Sequence, residues 1–381
     1  MALNPNPVVM QWAIERSGIA IDSLQKKWPK ITSWLDGTAE PTLKQIQDFA
    51  KKTHVNLNLL FADEVPDMSL QIADFRTVGN VSPCPSPELY DTVNDMLYRQ
   101  DWMSSYFAEE EYDPISLVGM FREVSGSPDN TAEMAAMIRD YLGLEEDWAF
   151  GARDYSEALR QFKSAVEAKR ISVVINGVVG DNTSRPLNVD EFRGFVLSDR
   201  FAPIVFVNGR DAKSAQIFTL AHELAHLGFA DTGLSSPNAE IEAGTERERR
   251  CDAIAAELLI PAGLFVGFFA DADFSYEHIK KVAKLFKVSA LSCARKAHEL
   301  RLIGDAGYSA LCSEHHRHVL EMSRKGKGGN YYLTKSYRIG SVFGDAVFIA
   351  LNTNRISHRD AYCLTGLNYK TFDEYFKGHM R

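Results

Sequence analysis

Apolar residues recur at helical spacing through most of the first 65 positions. PVVMQWAIERSG carries such a stripe and stops at Gly18, and IDSLQKKW has an Asp, Asp22, at its start that can cap. PKITSWLDG ends at Gly37. EPTLKQIQDFAKKTHV opens with Pro41 and Thr42 and repeats Leu43, Ile46, Phe49 and Ala50 on one face, and NLNLLF closes the unit. The next stretch, ADEVPDMSLQIADFRTVGNVSPCPSPEL, is broken by prolines and has no period, which predicts a connecting segment. Acidic helical patterns follow to about Phe150, in ELYDTVNDMLYRQDWMSSYFAEEE and NTAEMAAMIRDYLGL.

From about Ser156 the period alternates between helix and strand. YSEALRQFKSAVEAK suits a helix. ISVVINGVVG, FRGFVLSD and APIVFVNG are short β-branched or aromatic runs bounded by Gly, Asp or Asn, as strands are. SAQIFTLAHELAHLGF, the second half of EIEAGTERERRCDAIAAELLIP, and SYEHIKKVAKLFKVSALSCARKAHEL return to the helical period, and Pro261 should end the second of these. Helix, small sheet, then helices define an α+β domain. The organisation expected is an N-terminal all-α domain over 1–65, a linker and helical region over 66–155, an α+β domain over 156–305 and a mainly helical, basic region over 306–381.

At 381 residues, two or three domains are the prior. No run of eighteen apolar residues exists, so no membrane span is expected. MALNPNPVVMQW lacks the parts of a secretory signal. Five scattered cysteines (Cys84, Cys251, Cys293, Cys312, Cys363) form no CxxC pair, which fits a reducing cytoplasm. The net charge of −9 is unevenly spread. From Cys312 onward eleven Lys+Arg face six Asp+Glu, a net of +5, which leaves −14 for the rest. If any part meets a phosphate backbone, this C-terminal region is the better electrostatic candidate.

The chemistry concentrates in FTLAHELAHLGFADTG. On a helix, His222 and His226 lie on one face a turn apart and can share a metal ion. Glu223 sits about 100° around, where it can reach a metal-bound water. Such HExxH helices are a zinc-peptidase pattern, although five residues alone also arise by chance. A third ligand is available in TERERRCDAIAAELLIP. Glu248 can supply it, with Glu246 in reserve, and Asp252, four residues on, can accept a hydrogen bond from a ligating histidine. Read alone, Glu248 would be a solvated charge in ERERR. The histidines of HHRH (His315, His316, His318) read as a solvated patch and not as a second metal site.

RGFVLSDRFAPIVFVNGRDAKSAQIFTLAHELAHL followed by ERRCDAIAAELLIP resembles the ImmA/IrrE family of metallopeptidase-like proteins. That family follows its HExxH helix with a helix of the type E-x-x-x-N-x-F-A-A-x-L-L-x-P. Here Asp252 stands in place of the Asn and Ile254 in place of the Phe, and neither change removes a ligand. The resemblance covers roughly 156–300 and implies a zincin-like domain with Zn2+ on His222, His226 and Glu248 and with Glu223 as catalytic base. It also implies a protein substrate, a repressor or antitoxin, cut at one or a few sites in stress-response, mobile-element or toxin-antitoxin control. A peptide substrate would add as a strand to an exposed edge such as GFVLSD or PIVFVN.

SGIAIDSLQKKWPKITSWLDGTAEPTLKQIQDFAKKTHVNLNLLF resembles the helix-turn-helix repressors of the XRE family. That likeness implies operator DNA as a partner, contacted by Lys26, Lys27, Lys30, Thr32 and Ser33, and admits a homodimer. Only Pro29 and Lys30 separate the two helices where the family has a longer turn, so the recognition helix should be short or re-angled. Seven basic and seven acidic residues over 1–65 leave no basic footprint, and the competing reading is a degenerate module that docks on protein. In the C-terminal region SHRDAYCLTGLNYKTFDEYF has the rhythm of a second helix-turn-helix around Gly366. The rival reading of the whole chain is a non-catalytic DNA-binding regulator or antitoxin that uses the HExxH domain to bind a partner such as a cognate toxin. A small-substrate hydrolase ranks below both, since no phosphate or nucleotide motif is present.

Overall fold

The computed structural model describes residues 4–65, 73–74, 85–123, 130–235, 246–269, 274–322 and 337–379. Most of the proline-broken segment with Cys84, the run 323–336 and the side chain of His318 lie outside the described residues. The chain divides into two units, Met1–Gln71 with Pro83–Asn94, and Ile72–Ser82 with Asp95–Arg381.

In the first unit, α1 (Pro7–Ser17) starts where the Asn6 side chain accepts from the Val8 N–H, and it ends at Gly18 with φ 62°. Then come α2 (Ile21–Lys27), the five-residue α3 (Ile31–Leu35) and α4 (Leu43–Thr53), which opens on a Thr42–Gln45 capping box. A 3-10 turn over Leu57–Phe61 returns to the start of the unit, where Asn6 N–H donates to the Leu60 carbonyl at 2.8 Å. Trp28 packs between Trp34 and Phe49, with ring centroids 6.1 and 6.0 Å away, in a core that holds Met10, Ile31 and Ile46. α3, which follows Pro29 and Lys30, is short, with five residues. Lys26, Lys27, Lys30 and Thr32 are exposed and Ser33 is half-buried, while the Lys27 ammonium lies 4.4 Å from the centroid of the Trp28 ring.

The helix α5 (Pro87–Glu109) begins in the first unit and continues into the second. The second unit then runs α6 (Thr131–Leu142), α7 (Tyr155–Glu167), five strands between Ser172 and Asn208, α8 (Lys213–Phe229), β7 (Gly233–Ser235), α9 (Glu246–Leu259), α10 (Ala262–Gly267), α11 (Tyr276–Phe286), α12 (Ala290–Glu299) and α13 (Asp305–Met322). It closes with α14 (Ser341–Asn352), α15 (His358–Thr365) and α16 (Tyr369–His379). Pro261 follows the end of α9 by two residues, as the sequence predicts.

The main sheet has the order β1-β7-β5-β6-β2, from β1 (Ala73–Asp74), β2 (Ser172–Asn176), β5 (Gly194–Leu197), β6 (Ile204–Asn208) and β7. β2 runs parallel to β6, β5 antiparallel to both β6 and β7, and β1 parallel to β7. A small hairpin of β3 (Val178–Val179) and β4 (Asn182–Pro186) stands apart. The fold is thus α+β with a small mixed sheet. Both faces of the sheet are buried, which explains why its strands read as continuous apolar runs. Val173, Val196, Val205 and Val207 share a core with Ile217, Leu220 and Leu224 of α8, while Phe195 and Phe206 stack on each other at 4.8 Å.

One expectation is corrected here. GFVLSD and PIVFVN form β5 and β6, and neither is an edge. β7, the short run just after α8, pairs on β5, and β1 pairs on β7, so those backbone groups are already bonded.

α8 is seated by one close approach. A Cβ at Gly228 would lie 2.2 Å from the ring of Phe121, which packs edge-on to Phe229 at 4.9 Å. Gly228→Ala is therefore expected to overpack this contact and lower stability by about 1–3 kcal/mol. Thermal melting against wild type checks this, and an unchanged melting temperature would contradict it.

Candidate metal centre

α8 places its site through a mostly apolar helix. Leu220, Ala221, Leu224, Ala225 and Leu227 are buried around His222, Glu223 and His226. His222 is 6% exposed, and Glu223 and His226 are fully buried. α9 packs against α8 and brings up Glu248, 3% exposed, while its neighbour Glu246 is exposed. That difference settles which acid of ERERR faces inward.

The two imidazoles meet through their Nε2 atoms, 3.1 Å apart. Glu248 Oε1 lies 3.1 Å from Nε2 of His226, and Oε2 lies 3.4 Å from Nε2 of His222. The far nitrogens face other carboxylates. Nδ1 of His222 is 2.9 Å from Asp252 Oδ1, and Nδ1 of His226 is 3.4 Å from Asp231 Oδ2. Asp252 thus stands where the sequence places it. Asp231 was not foreseen. Ala230 ends α8 in the left-handed region at φ 60° and turns the chain back, so that Asp231 donates its N–H to the His226 carbonyl and sets its carboxylate beside the ring. Arg247 Nε in turn lies 3.3 Å from that carboxylate.

Gly194 is a second residue that motif reading misses. A Cβ there would sit 2.5 Å from Thr219 Cγ2, 2.8 Å from the Phe206 carbonyl and 3.1 Å from Glu223 Oε1. β5 therefore needs glycine at the position that backs Glu223.

This donor set fits a divalent cation. Around a tetrahedral zinc with bonds near 2.0–2.1 Å, ligand atoms stand about 3.3 Å apart, and the three separations here bracket that value. Two neutral imidazoles and a carboxylate suit zinc chemically, and each Nδ1–carboxylate contact presents Nε2 inward. His222, His226 and Glu248 are the residues that would hold the ion.

Burial opposes the imidazolium form of His222, but its hydrogen bonds to Asp252 and Glu248 prevail and raise its pKa well above the usual histidine value. His226 behaves alike. Burial works against its charge, and Asp231, Cys251 and Glu248 outweigh it. Burial would raise the Glu248 pKa, yet the two imidazoles hold it down to about 2. Without metal, these contacts favour an ionised Glu248 and retention of a proton by the imidazole pair.

Residues 181–298 match the family model for the IrrE N-terminal-like domain of the M78 peptidases, and the match contains every residue of this centre. It spans just under a third of the chain. Residues 339–378 match a domain of unknown function, DUF8813. No curated protein matches the chain. The family match and the buried triad together define a metallopeptidase-like domain of the ImmA/IrrE kind. Among the described residues, no helix is long and apolar enough to cross a membrane.

Metal uptake must expel the protons that the raised histidine pKa values retain. Titration calorimetry of zinc in buffers of different ionisation heat should show net proton release near pH 7, with affinity falling as pH falls. Wild type should hold one ion, and His226→Ala and Glu248→Ala should lose it. Uptake without proton release would contradict the protonated resting state. In the metal-free protein the histidine contribution to stability is fully present below about pH 6.5 and is lost as pH rises through the folded-state values. Glu248, whose pKa is depressed, keeps its full contribution above the ordinary carboxylate value of about 4.5 and loses it progressively as pH falls from there through about 2. The metal-free protein should therefore melt lower in mild alkali than near neutrality.

Proposed function

We propose that the chain is a regulator whose central domain is a zinc-dependent endopeptidase, acting on a repressor or antitoxin protein. The observation that carries the reading is the buried set of His222, His226 and Glu248 on adjoining helices, with Glu223 in the HExxH segment of α8. A structural site would need no acid at Glu223, whereas hydrolysis needs a base there.

When bound, zinc would supply Lewis acidity toward a water and toward the scissile carbonyl. The chain's own residues do the rest. Glu223 takes the proton of the attacking water and returns it to the leaving amine. Asp252 and Asp231 fix the tautomer and orientation of His222 and His226 by accepting from Nδ1–H. Gly194 keeps β5 clear of the Glu223 carboxylate. The substrate would be one protein cut at one or a few bonds, in stress-response, mobile-element or toxin-antitoxin control. In this reading the N-terminal bundle contacts operator DNA through Lys26, Lys27, Lys30, Thr32 and Ser33. A homodimer and a cognate toxin are further partners of the proposal, and its setting is the cytoplasm.

The test compares cells that express wild type or Glu223→Gln by mapping new protein N-termini. Wild type is expected to generate a new terminus in one or a few proteins, and Glu223→Gln to lower that yield by about 10²–10⁴-fold while keeping its metal. Identical terminus maps, with zinc bound in both, would instead favour a non-catalytic regulator that uses the domain to hold a partner.

A further inference from the structure

The three C-terminal helices have a use that the metal centre does not absorb. Helix α15 opens on a Ser357–Asp360 capping box and stops at Gly366, whose φ of 66° is the left-handed conformation a tight turn between helices calls for. Three residues later α16 begins, with the Asn368 side chain accepting from the Thr371 N–H at 3.0 Å. Tyr362 of α15 meets Phe372 of α16 edge-on at 5.2 Å. Behind them, α14 stacks its Phe348 on Phe376 at 4.8 Å, and a Cβ at Gly344 would lie 2.9 Å from the Tyr375 hydroxyl. Ala361, Leu364, Leu367, Phe372 and Phe376 are buried. This is a helix, a three-residue turn containing glycine and a second helix, braced by a third, as in helix-turn-helix DNA-binding units.

Arg359 on α15 and Lys370 on α16 are exposed, as is His358, and over 357–379 the three basic residues Arg359, Lys370 and Lys377 stand among three acids, Asp360, Asp373 and Glu374. Tyr369, the first residue of α16, is 66% exposed, so a large ring stands in solvent where such a second helix meets base edges. The sequence leading into the unit adds charge. Positions 324–338 hold five basic residues and no acid, and the chain from Cys312 onward carries +5. By comparison, α3 in the N-terminal bundle has five residues against eleven in α16.

We propose that α15 and α16 form a contact for double-stranded DNA, with the start of α16 in the major groove and Arg359 and Lys370 on the phosphates. This assigns a ligand to the region matched by the domain of unknown function, and it does not depend on the peptidase chemistry.

The test uses the full chain and a pool of random-sequence 40-base-pair duplexes, followed by fluorescence anisotropy across a salt series. Wild type should bind at ~50 mM salt, and Arg359→Glu/Lys370→Glu should bind at least about tenfold more weakly, with a log–log salt slope shallower by about two. Tyr369→Ala should keep the slope and lose the sequence preference that repeated selection from the pool reveals. A Lys26→Glu/Lys27→Glu/Lys30→Glu variant separates the two modules. Zinc content equal to wild type marks the charge variants as folded and keeps this result apart from the peptidase reading. Absence of duplex binding at low salt, wild-type affinity in Arg359→Glu/Lys370→Glu, or preference for single-stranded RNA would overturn the proposal.

Discussion

The second unit turns on one arrangement, a carboxylate held between two imidazoles in the crevice where α8 meets α9. Burying Glu248 unpaired would cost several kcal/mol, and so would burying either histidine as a cation. Set within 3.1–3.4 Å of one another, they offset each other's charge or share a metal ion. The flanking acids carry the same logic outward. Asp252 holds one ring from α9, and Asp231 holds the other from the turn after α8. Helix packing, loop geometry and ionisation are thus tied together at this place. A change in any one of α8, α9 or the Ala230 turn is felt at the others.

Much of this was legible in the chain. Caps and periods located the helices, and short apolar runs located β2, β5 and β6, because a sheet buried on both faces removes polar residues from its strands. The i, i+4 spacing puts His222 and His226 on one helix face and Glu248 and Asp252 on one face of the next, but it leaves Glu246 as an alternative that only the burial of Glu248 sets aside. What escaped reading depended on backbone geometry or on contacts distant in sequence. Asp231 reaches His226 through a left-handed residue that carries no glycine signal, because Ala230 occupies it. Gly194 looks like an ordinary strand glycine until Glu223 is seen behind it. β7 and β1 have three and two residues, too few for any period to appear, and so β5 was misread as an edge.

The two helical modules illustrate how alike such patterns look before their lengths and surfaces are known. Both place a short helix, a turn and another helix in sequence. In the N-terminal bundle the second of these is a single turn and a half, and Lys27 leans on the protein's own Trp28. At the other end of the chain the corresponding helix is longer and presents an aromatic and a cation at its start. Helix length and the direction of a few side chains separate two units that hydrophobic rhythm alone would group together.

The four central residues of the metal centre are at most 6% exposed. A peptide bond cannot be brought to atoms that solvent itself barely touches unless the surroundings give way. Selectivity in such an enzyme would reside at the doorway more than at the bond being cut. On the proposed reading, a partner able to open the crevice would become a substrate, and a loose peptide with an equally good bond would not. On that reading the resting chain would be silent toward most protein it meets.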